Sequence, residues 1–231
     1  VCPWHIHFSR IAFELVGFPF FFLIGATLLV RYTQGHRTLP AAMLFFGICP
    51  YAYAVANIFI PLFLLGFTVL YVPTLLRRWR ESITAFLVIL AVALPVGTLY
   101  LQNPQLSMQY ISRTTNVQDT ETLEERATRI AGYYKQFFSE EFLFTHGDPI
   151  VRHAVRGFGE LHPFYLPFMI LGALISLYRR DRLLMLWWLA LYPLGASLMT
   201  EIPSATRGFI GAPAFCLLAG MGAGAVLWCI G

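Results

Sequence analysis

The run "LPAAMLFFGICPYAYAVANIFIPLFLLGFTVLYVPTLL", Leu39 to Leu76, holds 38 residues without a charged side chain. As one helix it would be about 57 Å long at roughly 1.5 Å per residue, nearly twice the roughly 30 Å hydrocarbon core of a bilayer. It must therefore fold back on itself. Pro50 and Pro61 each weaken helix continuity and Asn57 supplies a polar side chain between them, which places the turn in "CPYAYAVANIFIP".

A hairpin of apolar helices implies a membrane protein, and the rest of the chain agrees. Of 231 residues, 58% are hydrophobic and 12% charged, against about 25% charged in an ordinary soluble domain. The mean hydropathy is +0.65. Ile11 to Val30, Ser82 to Tyr100, Pro163 to Tyr178, Leu183 to Met199 and Phe209 to Ile230 approach the length of a spanning helix. With the hairpin they make about seven spans. The expected fold is all-α, a polytopic membrane helix bundle with a partly helical external loop, forming a single membrane domain from Val1 to Gly231.

Charge sets the expected orientation. Arg31 and Arg37, then Arg77, Arg78 and Arg80, then Arg179, Arg180 and Arg182 fall in three short loops on one side. The positive-inside rule makes these loops cytoplasmic. "VCPWHIHFSR", the Pro50 to Asn57 turn, the Leu101 to His162 segment and "TEIPSATR" then face outward. A multi-pass protein of the cell (inner) membrane is expected, with its functional loops external or periplasmic. Lys135 is the only lysine among 16 basic residues, so the basic balance reports loop charge and not a nucleic-acid surface.

Cys2, Cys49, Cys216 and Cys229 have no metal-like spacing, and three lie in apolar runs where cysteine packs as a small hydrophobe. Neither a disulfide nor a zinc site is expected. Val1 begins no signal peptide, which reads as a fragment whose N-terminal part lies upstream. Within the external segment, Thr122 and Glu125 form a T-x-x-E capping box. Leu123, Ala127, Ile130, Ala131, Tyr134, Phe137 and Phe138 follow at helical spacing, which predicts an amphipathic helix.

Polar chemistry concentrates in "FLFTHGDPIVRHAVRGFGELHPF", Phe142 to Phe164. His146, Asp148, Arg152, His153, Arg156, Glu160 and His162 supply donors, acceptors and ligand types within one loop. Gly147, Pro149, Gly157 and Gly159 oppose a continuous helix and favour a shaped backbone. A solvated connector and a ligand-binding loop both fit this pattern. Arg10 and Glu14, four apart, would share one helix face at the start of the first span, as an anchoring ion pair or as part of a site. His5 and His7 face opposite ways on a helix and the same way on a strand, which makes a weak metal pair and favours residues at headgroup level. "TEIPSATRGF" places Glu201 and Arg207 in a short external turn, where arginine meets either phospholipid or a substrate phosphate.

Three stretches, "PWHIHFSRIAFELVGFPFFFLIGATLLV", "GICPYAYAVANIFIPLFLLGFTVLY" and "FSEEFLFTHGDPIVRHAVRGFGELHPFYLPFMILG", occur in this order. Together they resemble the later spans of bacterial dolichyl-phosphate-mannose-protein mannosyltransferase-like enzymes of the glycosyltransferase-C superfamily, over about Pro3 to Met221. The resemblance implies transfer of a sugar from a polyprenyl-phosphate-linked donor to an unidentified acceptor on the external face, among membrane lipids. It also implies a catalytic carboxylate in a first external loop. Nothing here matches that loop, so the catalytic residue is expected upstream and this chain alone is expected to transfer no sugar. What the resemblance carries over is the substrate-holding half: Arg10, Glu14, Asp148, Arg152, His153 and Arg207. Asp148 and His153 are also metal ligands in type, which leaves a divalent metal ion open as a cofactor. The alternative from another class is a transporter or structural subunit, which calls for ionisable residues in mid-span and broken helices near the midplane.

Overall fold

The computed structural model describes residues 2–11, 13–103, 105, 122–178, 180–199 and 202–230. Glu201 and Arg179 lie outside the described residues. The described chain is all-helical and forms two compact units: residues 1–13 with 114–231, and residues 14–113.

The first described element is a short helix. α1 spans Pro3–Arg10, with proline in its first turn and the Cys2 Sγ accepting from the His5 N–H at 3.4 Å. Ile11 is extended, and Glu14 opens a separate 3₁₀ turn, Glu14–Val16. Arg10 and Glu14 therefore do not share one helix face, which corrects the expected i,i+4 geometry.

From Glu14 the second unit follows: α2 (Gly17–Thr33), α3 (Leu39–Ala52), α4 (Ala56–Arg77) and α5 (Trp79–Gln102). The long uncharged run does fold back, between Ala52 and Ala56. Asn57 stabilises the bend by donating from Nδ2 to the Ala54 carbonyl at 3.1 Å. Because lipid tails are as apolar as leucine, burial alone does not hold membrane helices together, and close packing must do so. Phe22 meets Phe63 at 4.9 Å between ring centroids and Phe59 at 5.3 Å. Gly25 lets the Phe46 ring approach, since a Cβ there would sit 2.8 Å from it. The outward faces keep large apolar side chains such as Leu65, Val69, Phe86 and Leu94, as a lipid-facing surface requires.

The rest of the first unit comprises α6 (Leu123–Gln136), α7 (Tyr165–Leu177), α8 (Arg180–Leu191), α9 (Leu194–Ser197), α10 (Ala205–Gly208) and α11 (Gly211–Ile230). α6 has the expected reciprocal capping box between Thr122 and Glu125. It docks through the Tyr134 hydroxyl, which donates to the Ala190 carbonyl at 2.8 Å. α7 and α11 cross so closely that Gly172 faces the Leu218 carbonyl and Gly222 the Phe168 carbonyl, leaving no room for a Cβ at either glycine.

Among the described residues, four stretches are long and apolar enough to cross a membrane: Glu14–Thr33, Ala56–Arg77, Trp79–Gln102 and Gly211–Cys229. Leu39–Ala52 and Tyr165–Leu177 are shorter, with 14 and 13 residues, about 20 Å each against a core of roughly 30 Å. The expected span from Leu183 to Met199 is interrupted at Tyr192 and Pro193. Proline there has no N–H to continue the ladder.

Candidate functional site

Within the first unit, α1 is held down by its aromatic residues. Trp4 and Phe8 are fully buried. The Trp4 backbone N–H donates to the Glu160 carbonyl at 3.1 Å, and its indole Nε1 donates to the Ala205 carbonyl at 3.0 Å. One tryptophan thereby ties together three segments distant in sequence: α1, the 146–162 loop and the turn before α11.

The loop is shaped as its glycines require. Gly147 and Gly157 take φ of 74° and 78°, a region that side chains disfavour. Gly159 lies against the backbone of Phe144, where any Cβ would clash. Beside it the Glu160 N–H donates to the Phe142 carbonyl at 3.2 Å and the Leu161 N–H to the Leu143 carbonyl at 2.7 Å.

Asp148 sits under this loop, 4% exposed. Its Oδ1 accepts from the Ile150 N–H at 2.7 Å and its Oδ2 from the Ala205 N–H at 2.6 Å, while His153 Nδ1 lies 3.5 Å from Oδ2. This pattern suits the ionised carboxylate, which only accepts. Arg152 donates from Nε to His153 Nε2 at 3.1 Å. That bond requires a bare Nε2, so the neutral ring carries its proton on Nδ1, facing Asp148. Glu160 accepts from the Asp148 N–H at 3.0 Å. Burial first, and then the Asp148 charge, push its carboxyl up to about 8, against the pull of that hydrogen bond. At neutral pH Glu160 is mostly the uncharged acid.

Three arginines lie on the segments that this group ties together. Arg152 is exposed on the loop. Its carbonyl lies 3.0 Å from His7 Nε2, and Arg10, three residues beyond His7, shares that face of α1. Arg207 is half-buried on α10, two residues past the Ala205 N–H that Asp148 anchors. The structure brings Asp148 and His153 together and sets Arg152 against His153, while Arg10 lies one helical turn from His7 and Arg207 two residues from the Ala205 that Asp148 anchors. Glu14 is exposed and belongs to the other unit.

Asp148 and His153 direct their polar atoms at backbone amides, at each other and at Arg152, and so serve the fold as placed. Among the described residues, no three His, Cys, Asp or Glu side chains converge on a metal-sized site. A groove of about 340 Å³ runs between α7 and α11, lined by Cys2, Phe164, Tyr165, Phe168, Cys216 and Ala219 among others. Sequence reading did not find this groove or the tryptophan tie. Its only available signal was the mixture of small and aromatic residues on α7 and α11.

No protein-family model matches the chain, and no curated protein or solved structure matches it.

Proposed function

We propose that the chain is the substrate-holding part of a membrane glycosyltransferase that takes a sugar from a polyprenyl-phosphate-linked donor at the external face. The observation that supports it best is the buried Asp148–His153–Glu160 group, which receives the Arg152 guanidinium at His153 and is tied to the helices that carry Arg10 and Arg207. Breaking a sugar–phosphate bond leaves a phosphate dianion. Arginine stabilises that charge without becoming deprotonated, and fixed donors stabilise it most where water is scarce. The apolar groove between α7 and α11 is of a chemistry to take an isoprenoid chain. About seven spans fit the same reading, if the shorter α3 and α7 and the interrupted Leu183 to Met199 segment each cross together with the four long stretches. So does the orientation that puts the arginine-rich helix ends in the cytoplasm.

A second reading, a transporter, is favoured by the break at Tyr192 and Pro193. Against it, charged residues on α2, α4 and α5 occur only at the helix ends, and α3, α7 and α11 carry none. Transport pathways usually place such groups in mid-span.

The test is sugar transfer by the full-length protein carrying Arg152→Ala or Arg207→Ala, at matched membrane expression. Loss of a guanidinium that meets the leaving phosphate should slow transfer by about 3 kcal/mol, roughly a hundredfold. Rates within twofold of wild type for both variants would sink the assignment.

A further inference from the structure

The second unit carries a basic basin that the proposed reaction does not use. It has a volume of about 570 Å³ and is lined by Arg37, Arg77, Arg78, Arg80, Trp79 and Glu81 among others. It lies where α4 ends and α5 begins, beside the start of α3.

Its cations divide into two kinds. Arg78 is built into the fold: it pairs with Glu81 at 2.6 Å and donates to the Tyr32 and His36 carbonyls at 3.3 and 2.8 Å. Its guanidinium also covers the Tyr32 ring at 4.4 Å. Glu81 in turn accepts from the Leu39 N–H at 3.2 Å. This pair pins the turn between α4 and α5 to the start of α3. The other three differ. Arg37, Arg77 and Arg80 are exposed, and among the described residues none makes a hydrogen bond or ion pair through its guanidinium, although that of Arg80 lies over the Trp79 ring at 5.4 Å. Four arginines against one glutamate leave the basin a formal charge of +3.

We propose that this basin binds the phosphate headgroup of an anionic glycerophospholipid. Guanidinium forks match phosphate oxygens in geometry, and three forks without an acidic partner open onto one cavity. The basin sits at the ends of apolar helices, the depth at which lipid phosphates lie, and basic pockets between such helices hold acidic headgroups. Trp79, 55% exposed beside it, is a residue type favoured at that depth. A zwitterionic headgroup would bring its own cation against three unpaired guanidiniums, so charge selects an acidic lipid.

The test is native mass spectrometry of the delipidated protein, titrated separately with phosphatidylglycerol, phosphatidylcholine and glycerol 3-phosphate. Wild type should hold phosphatidylglycerol at least tenfold more tightly than either of the others. Each of Arg37→Gln, Arg77→Gln and Arg80→Gln should weaken that binding by roughly fivefold. All three leave the Arg78–Glu81 pair intact, and an unchanged thermal midpoint would confirm folding for each. Should one variant fail to fold, the other two decide. Equal retention of phosphatidylglycerol and phosphatidylcholine would overturn the proposal, as would undiminished binding in the folded variants. Glycerol 3-phosphate binding as tight as the lipid would assign the basin to a soluble phosphate and overturn the lipid reading.

Discussion

Glu160→Gln isolates one buried group whose effect on stability has a calculable sign. Glutamine keeps the shape of the side chain and the oxygen that accepts from the Asp148 N–H, but it never ionises. In the wild type the carboxyl moves from an ordinary 4.5 when unfolded to about 8 when folded. Below pH 4.5 both states hold the proton and the fold keeps its full stability. Between 4.5 and 8 the unfolded chain releases the proton while the folded chain retains it, so stability falls as pH rises. The slope is about 1.4 kcal/mol per pH unit, and the loss accumulates to about 5 kcal/mol before levelling above pH 8. At roughly 2–4 °C per kcal/mol for a chain of this size, wild type should lose on the order of 10 °C of thermal midpoint between pH 5 and 8 relative to Glu160→Gln. Glu125, whose carboxyl is lowered by its hydrogen bonds to the Thr122 backbone and side chain, acts only at lower pH, where protonation would weaken the α6 cap. The assay is thermal unfolding in detergent at constant ionic strength, read as the difference between the two proteins. A Glu160→Gln variant with the same pH slope as wild type would refute the reasoning.

Other perturbations reach neighbouring contacts. Gly159→Ala forces a Cβ into the Phe144 backbone and should cost about 3 kcal/mol, seen as a lowered thermal midpoint, whereas Gly97→Ala, with open space around it, should not destabilise. Asp148→Ala strands the Ile150 and Ala205 N–H groups and should lose about 3 kcal/mol in chemical denaturation; Asp148→Asn, which keeps one acceptor oxygen, should lose less. Gly172→Ile should separate α7 from α11 and lower the thermal midpoint in detergent.

Parts of this structure were legible because their causes are local. The Ala52–Ala56 break followed from an uncharged run too long for one crossing, and Asn57 does bond within it. The capping box of Thr122 and Glu125 lies within one turn. The glycines of the 146–162 loop announced their own backbone. What stayed hidden depends on distant partners. α1 has only 8 residues, too few to hold a helix alone. It is stabilised by burying Trp4 and Phe8 against residues near the other end of the chain. Nothing in the loop's sequence distinguishes Asp148, committed to the Ala205 N–H, from Glu160, kept as the acid by burial. Helix lengths were also overestimated from apolar runs: Pro193 ends α8 early, and α7 extends only from Tyr165 to Leu177.

The central claim is that Arg10, Arg152 and Arg207 recognise the phosphate of a polyprenyl-linked donor. The most direct measurement compares binding of polyprenyl phosphate and of the uncharged polyprenol of equal chain length, with the protein in nanodiscs of neutral lipid. The account predicts that wild type prefers the phosphate by more than tenfold. It also predicts that Arg152→Ala combined with Arg207→Ala abolishes this preference while leaving polyprenol binding in place. Equal binding of the two lipids by wild type, or a preference that survives in the double variant, would contradict it.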